Sequence, residues 1–335
     1  MPMDGRHRFC IGRRIVSVFS MAFAIHLTRP PGPPPKPWYD DLESLRSAIE
    51  SCGAGQIQCT EPDNADAILV FHQDPARVPL QNVMSYLSAS ERTKAFVYST
   101  IDSVLPLVPG FYPSLPQHNH ISGTMGSPYF SVMRLDWLDA LSTAVPAKWL
   151  FSYAGNSANA PVRRKLMLVN DDRGRLVDTG SHPGNLSGQT SEVYQEFHNQ
   201  YAEMMRDSLF IVCPRGMGAS SMRLYEAMRA GRVPVIISDD WVPPEGISWN
   251  RCSIRLAEKD VGHLGAVLRE REAEALTLCR LARTAWEEHF SQSGVLQWLT
   301  QQLQRLLWER RAYHRERRWL MLDPRNARLV WRSLR

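Results

Sequence analysis

The sequence predicts an α/β protein built from two doubly wound, parallel-sheet domains. Short apolar runs such as ADAILVF (65–71), AFVYS (95–99), WLFSYA (149–154) and LFIVC (209–213) alternate with stretches of helical spacing. That is the pattern of strands buried on both faces under crossover helices. One strand, glycine loop, helix and strand follow in sequence over residues 209–238, a βαβ unit with a short crossover. The length of 335 residues, at about 150 residues per domain, fits two domains better than one.

The first element leaves two readings open. Ile15 to Leu27 (IVSVFSMAFAIHL) follows Arg13-Arg14 and precedes RPPGPPPKPW. It reads as a first buried strand, or as a signal peptide or anchor, although a spanning helix needs about 20 residues. An anchor would make the protein a type II membrane protein of the Golgi or secretory path; a strand would leave it cytoplasmic and membrane-associated. Tyr39 to Ser51 has Leu42, Leu45 and Ile49 on one helical face, with Asp40 or Asp41 as cap. A strand over 65–71, a helix over 82–94 and a strand over 95–99 follow. Residues 101–129 are rich in Pro, Gly, Ser and His, a loop-rich segment of a size usually tied to function.

The second series opens with the strand 149–154, which runs into Gly155-Asn156, and a helix starts near Pro161. A strand over 176–179 and a helix over 192–207 come next. The strand 209–213 then enters the loop PRGMGAS, followed by a helix over 221–230, Gly231 as its stop and the strand VPVIIS over 233–238. A strand over 252–256, a helix over 261–270 and helices over about 272–289 and 295–319 complete the chain. The organisation is an N-terminal domain (1–147), a C-terminal domain (148–290) and a basic helical extension (291–335). Ligands of such sheets bind beyond the carboxyl ends of the strands.

Composition narrows the function classes. With 44% hydrophobic and 22% charged residues, the chain is an ordinary globular one. The net charge of +5 is concentrated at the ends: from Arg305 onward there are ten Arg against Glu309, Glu316 and Asp323, and residues 1–14 hold four Arg against Asp4. The middle is therefore net acidic, which argues against a nucleic-acid groove. The basic C-terminal helix, with Leu303, Leu306, Leu307, Arg310, Arg311, Arg315, Arg317 and Arg318, reads as a solvated surface helix, as a peripheral contact to anionic lipid or, least favoured, as an RNA-binding element. Cys10, Cys52, Cys59, Cys213, Cys252 and Cys279 show no zinc spacing. They read as reduced thiols, with a Cys52–Cys59 bridge open to a luminal protein. Asn185-Leu186-Ser187 is a glycosylation sequon if the chain is secreted.

The loop Gly216, Gly218, Ser220, Ser221 lies between a strand and a helix, where backbone N–H groups converge and anions are favoured. The serines either cap the helix or donate to phosphate. Arg223 and Glu226 share a helical face, as a surface ion pair or as contacts to a diphosphate and a ribose. The G-x-G with Asp239 or Asp240 downstream also imitates a dinucleotide fingerprint, but serine holds the third glycine position and no hydride-handling set follows. A P-loop is absent from the sequence.

The stretch RDSLFIVCPRGMGASSMRLYEAMRAGRVPVIISDDWVPPEGISW (206–249) resembles the exostosin family of glycosyltransferases. The family's C-x-P-x-G is Cys213 to Gly216 with Arg215 inside it, its S-x-R-x-x-[ED]-A is Ser221 to Ala227, and its G-x-x-P-V-I-x-S-[DN] is Gly231 to Asp239. Two weaker echoes extend it: LFSYAGNSANAPVRRKL (150–166) places Arg163 at a family arginine, and CTEPDNADAILV (59–70) resembles the family's T-x-D-P-x-x-A-D strand entry. The segment 72–147 matches poorly. The resemblance implies a GT-B fold of two facing Rossmann-like domains, with the nucleotide sugar on the second and the final helices crossing back to the first. It implies an inverting, metal-independent transfer of sugar from a donor such as a UDP-sugar to a glycan or other hydroxyl acceptor, with no cofactor. A non-catalytic nucleotide- or carbohydrate-binding relative, and an NAD-dependent Rossmann oxidoreductase, are the competing readings.

Without a metal, cationic side chains must neutralise the departing diphosphate. Arg163, Arg223 and the loop are candidates, Arg215 a lesser one, and Glu226 and Asp239 are assigned to the nucleotide. The general base is sought among Asp102, His72, Asp74, His118 and His120, with Asp102 preferred because it follows a strand end. Trp241, Trp249, Tyr153 and Tyr112 offer rings that either stack on a base or sugar or fill the core.

Overall fold

A computed structural model describes residues 22–32, 40–53, 55–73, 79–141, 147–180 and 192–333. Residues 15–21 of the first apolar run, Cys10, Asp74 and the sequon at 185–187 lie outside them.

The first sheet holds β1 (Phe23–Thr28), β2 (Ile57–Cys59), β3 (Ala67–His72), β4 (Ala95–Ser99), β5 (Gly110–Phe111) and β6 (Thr124–Met125) in the order β2-β1-β3-β4-β5-β6. The second holds β7 (Trp149–Gly155), β8 (Gly174–Asp178), β9 (Ser208–Pro214), β10 (Val233–Ile237) and β11 (Ile254–Arg255) in the order β8-β7-β9-β10-β11. Every pairing within both sheets is parallel. Both sheets reverse direction beside their first strand, which places a crevice at β1/β3 and another at β7/β9. Residues 23–27 of the first apolar run are thus strand, and no helix among the described residues is long and apolar enough to cross a membrane.

The helices are α1 (Asp41–Cys52), α2 (Ala89–Arg92), α3 (Pro161–Leu166), α4 (Glu192–Arg206), α5 (Arg223–Arg229), α6 (Trp249–Cys252), α7 (Leu264–Glu270), α8 (Ala275–His289), α9 (Gln292–Leu322) and α10 (Ala327–Ser333). Asp40 caps α1 by accepting from the Glu43 amide at 3.1 Å. Several expectations need correction. The helix expected over 82–94 is a 3-10 turn and the single turn α2, whose capping box pairs Ser88 with Glu91. Helix α5 starts two residues later than expected, and Cys252 belongs to α6 rather than to a strand. Strands β2, β5 and β6 had no sequence signal. Cys52 and Cys59 are both free.

Period-two alternation sorts the cores. Ala67, Leu69, Phe71, Phe96 and Tyr98 point to one side of the first sheet, and Ile68, Val70, Ala95 and Val97 to the other. The first set joins Ile211, Cys213 and Ile236 of the second sheet, with α1, α5, α8 and α9, in one apolar core that both domains share. Helix α9 closes this core through Leu299, Leu303 and Leu306, then runs along the first domain. There the Arg310 guanidinium donates to the carbonyls of Ala95 and Arg92, and the Tyr313 hydroxyl donates to that of Pro106. The Glu316 carboxylate receives the Ser122 amide and hydroxyl at 3.0 and 2.9 Å. Two parallel α/β domains with helices returning to the first are the GT-B layout.

Leu303 is fully buried on α9, whereas Trp308 is 85% exposed. Leu303→Ala should therefore cost about 2–5 kcal/mol, and Trp308→Ala should stay within about 0.5 kcal/mol of the parent, both read by urea unfolding. Equal effects would refute this placement of the helix.

Candidate active site

The crevice of the second sheet opens between the ends of β7 and β9, and Arg163 of α3 spans it. Its Nε donates to the Arg215 carbonyl at 2.9 Å, Nη2 to Pro214 at 3.2 Å and Nη1 to Asn156 at 3.4 Å. One guanidinium thus ties the carboxyl ends of both strands together and uses three of its five N–H donors to do so. Gly216 lies against it, since a Cβ there would sit 3.3 Å from Nη2.

Arg223, at the start of α5, is held differently. Its guanidinium lies 5.0 Å from the Tyr153 ring centroid and 5.5 Å from that of Tyr201. Its Nε donates to the Tyr201 hydroxyl at 3.2 Å, and that hydroxyl in turn donates to Glu226 Oε2. Burial opposes the Arg223 charge, but Tyr201 and Glu226 outweigh it and keep its pKa above the ordinary arginine value. No other hydrogen bond from Arg223 to the described residues forms. The remaining donors form a planar fork suited to a phosphate or carboxylate.

Arg215 makes a two-pronged pair with Glu258 at 2.6 and 3.1 Å, and Asp239 accepts the Glu258 amide at 3.1 Å. Both residues therefore brace the segment after β11. Ser220 is buried and Ser221 partly so. Neither serine caps α5, whose cap position is Met222 without a side-chain bond. Beneath the loop, Cys213, Ala219, Ser220, Ser221, Leu224 and Ser238 line a cavity of about 10 Å³, room for one water molecule.

Across the loop stands the first domain. Asp102, three residues after β4, accepts the Gly218 amide. A Cβ at Gly218 would fall 2.6 Å from Ser114 Oγ and 2.8 Å from Asp102 Oδ1, so only glycine permits this approach. Burial raises the Asp102 carboxyl above its usual range, against the Gly218 hydrogen bond and the Arg163 charge. Ser114 Oγ in turn meets the Tyr129 hydroxyl at 3.1 Å. Beside them a clasp joins the domains: Pro116 bridges Trp241, Trp241 Nε1 donates to the Pro113 carbonyl, and His118 pairs with Asp240 at 2.6 Å.

Other expected site residues are placed elsewhere. His118 belongs to that clasp. His72 is buried against Ser99 Oγ at 2.9 Å, and His120 ends a 3-10 turn. Tyr112, Tyr153, Trp241 and Trp249 are buried core aromatics; of these Tyr153 covers Arg223, and Trp241 lines the cavity beneath the loop and anchors the clasp. Tyr201, Tyr129, Ser114 and Glu258 were not anticipated. Asp41, at the β1/β3 crevice, was anticipated only as a helix cap. It is buried, accepts the Ser131 amide at 2.5 Å and Gln73 Nε2 at 2.9 Å, and burial pushes its pKa up to about 7 against the Ser131 and Tyr98 hydrogen bonds. Among the described residues no cluster of three or more His, Cys, Asp or Glu converges to hold a metal ion.

The stretch from Ser114 through the glycine loop to Arg271 matches the family model described as the Exostosin GT47 domain. The chain is 44% identical over 63 residues to an exostosin-1 homolog of Caenorhabditis elegans, covering 18% of this chain and 16% of that protein. It is 34% identical over 113 residues to a probable glucuronosyltransferase of Oryza sativa subsp. japonica, covering 29% and 27%. The chain thus spans less than a third of the length of these curated relatives. A solved glycosyltransferase from Rickettsia africae superposes with a TM-score of 0.43 at 12% identity, covering 85% of this chain and 99% of that one. The stretch that matches the family model takes in β6 and the whole second sheet, so Arg163, Arg223 and Glu226 lie within it and Asp102 lies outside.

The Asp41 carboxyl has a folded pKa of about 7 and an ordinary value of 3.8. A raised acid favours the native state most below its unfolded pKa, so stability should fall as pH rises from about 4 to about 7. In Asp41→Asn that part of the slope should vanish; urea unfolding at several pH values reads it, and an unchanged slope would refute it.

Proposed function

We propose that the protein is a glycosyltransferase that moves a sugar from a nucleotide sugar, in the first instance a UDP-sugar, to a hydroxyl of a glycan acceptor with inversion and without a metal. The observation that carries this reading is the free fork of Arg223, held between two tyrosine rings beside Glu226 at strand ends that face Asp102. Arg163 feels the charges of both Arg223 and Asp102, so the three groups act on one small volume. The match to an exostosin domain supports the same class of chemistry.

In this scheme the Arg223 fork binds the departing diphosphate and neutralises charge as the bond from the sugar C1 breaks. Arg163 keeps the two strand ends at fixed separation and lends its charge to the same region. Glu226 takes the ribose hydroxyls once Tyr201 turns aside. The acceptor oxygen attacks C1 from the face opposite the diphosphate, and its proton passes to the Asp102 carboxylate. In the described conformation that carboxylate holds the Gly218 amide, and the space beneath the loop admits one water. Substrate entry therefore requires the loop and the first domain to separate. The same closed seam favours, as the second reading, a binding protein that holds nucleotide without turnover.

Release of UDP from a panel of UDP-sugars separates the two. An enzyme releases UDP, needs no added metal, survives chelator, and loses on the order of 100-fold in rate with Arg223→Ala. Binding without release would establish the second reading, and loss of release with EDTA would overturn metal independence. Glu226→Ala should weaken UDP binding by about 1–3 kcal/mol in calorimetry; unchanged affinity would remove it from the nucleotide site.

A further inference from the structure

Helix α9 carries arginines on two faces that meet different fates. On the inner face Leu303, Leu306, Tyr313 and Leu320 are buried, and Arg310 and Arg317 donate to backbone carbonyls of the first domain. The flanking acids are also spoken for, Glu309 by Arg305 and the Gly123 amide and Glu316 by Ser122. The outer face is composed of Trp308, Arg311, Arg315, Arg318, Trp319 and Leu322, all exposed. Trp308, Trp319 and Leu322 are 85%, 60% and 68% exposed, far more than large apolar side chains ordinarily are.

Spacings of three and four residues along this row place it within a sector about 100° wide. It extends about 21 Å along the axis at 1.5 Å per residue. No Asp or Glu falls in that sector, because Glu309 and Glu316 are turned toward the first domain. The Arg318 guanidinium lies 5.4 Å from the Trp319 ring centroid, so cation and aromatic are already side by side.

We propose that this face docks on an anionic lipid surface. Three guanidinium groups meet the lipid phosphates, while Trp308, Trp319 and Leu322 enter the boundary between headgroups and acyl chains, where amphipathic rings are favoured. The complementarity is one of charge as well as polarity: a row of cations free of acids, interleaved with apolar groups, on a convex helix. A soluble acidic polymer is a poorer fit, since the row is convex and single, with no groove into which side chains converge from a second element. Because the inner face is saturated by the first domain, the outer face is presented rigidly and binding does not have to order it. The inference is independent of the proposed reaction.

The test uses the full chain with sucrose-loaded vesicles of phosphatidylcholine, alone or with about one third phosphatidylserine, at low salt. The protein should sediment with the anionic vesicles and not with the neutral ones. Combined Arg311→Gln, Arg315→Gln and Arg318→Gln should weaken binding on the order of 100-fold. Trp308→Ala with Trp319→Ala should weaken it with the charges intact, and should abolish the blue shift of tryptophan emission seen on adding vesicles. Circular dichroism and unfolding midpoints matching the parent show that the variants are folded. Absence of sedimentation by the parent, equal sedimentation of parent and folded variants, or capture by a soluble sulfated polysaccharide without capture by anionic vesicles would each overturn the proposal.

Discussion

The approach of the loop 216–220 to the first domain is the contact on which the state of the site depends, and it rests on the missing side chain of Gly218. Any Cβ there would collide with Ser114 and Asp102. Gly126 serves the same end nearby, where a Cβ would overlap the Val242 carbonyl. At these two glycines the backbone of one domain comes directly against the other, through a seam of hydrogen bonds individually worth about 1 kcal/mol because water can replace either partner. Behind this polar seam lies the apolar core shared by both sheets and α9, whose burial has no such substitute in water. A seam that exchanges easily with solvent, backed by a core that does not, favours opening about the core rather than separation of the domains.

Arginines around the site divide into those consumed by the fold and those left for chemistry. Arg163 spends three donors on backbone carbonyls. Arg229 and Arg232 are buried on carbonyls, with Asp136 and Asp139 joining Arg229. Arg215 is matched to Glu258. Arg223 alone of these is positioned chiefly by aromatic faces, which orient a guanidinium without occupying its in-plane donors. Such an arrangement keeps a cation fixed yet available, as the proposed stabilisation of a leaving diphosphate demands.

The parts of this organisation that were legible in the sequence share one physical basis. Strands β3, β4, β7, β9 and β10 are buried on both faces and so show as unbroken apolar runs. Strands β5 and β6 are two residues each, held by tertiary partners inside a segment whose composition reads as loop. The helix expected at 82–94 failed because Val83 and Leu87 reach the core from successive tight turns as well as they would from a helix. At the site, Arg163, Arg223 and Glu226 stood out through motif spacing. Tyr201 and Tyr129 carried no local mark, because they act on Glu226 and Ser114, 25 and 15 positions away, with a relation that only the fold creates.

The raised pKa of Asp102 bears on how such a seam would work in the proposed reaction. A carboxylate in open water, near its ordinary value, is a weak base toward a hydroxyl proton. Burial at the seam raises its proton affinity, whereas the Gly218 amide and the Arg163 charge lower it. When an acceptor hydroxyl displaces the Gly218 amide, the donor on the carboxylate becomes the group that must lose its proton, while burial by the closed domains persists. The carboxylate is then most basic when the domains are closed on both substrates, and least basic when they are apart and water is the available proton source. Closure would thereby couple the strength of the base to the presence of the acceptor, and Gly218 would hold the base in its less reactive form until the acceptor arrives.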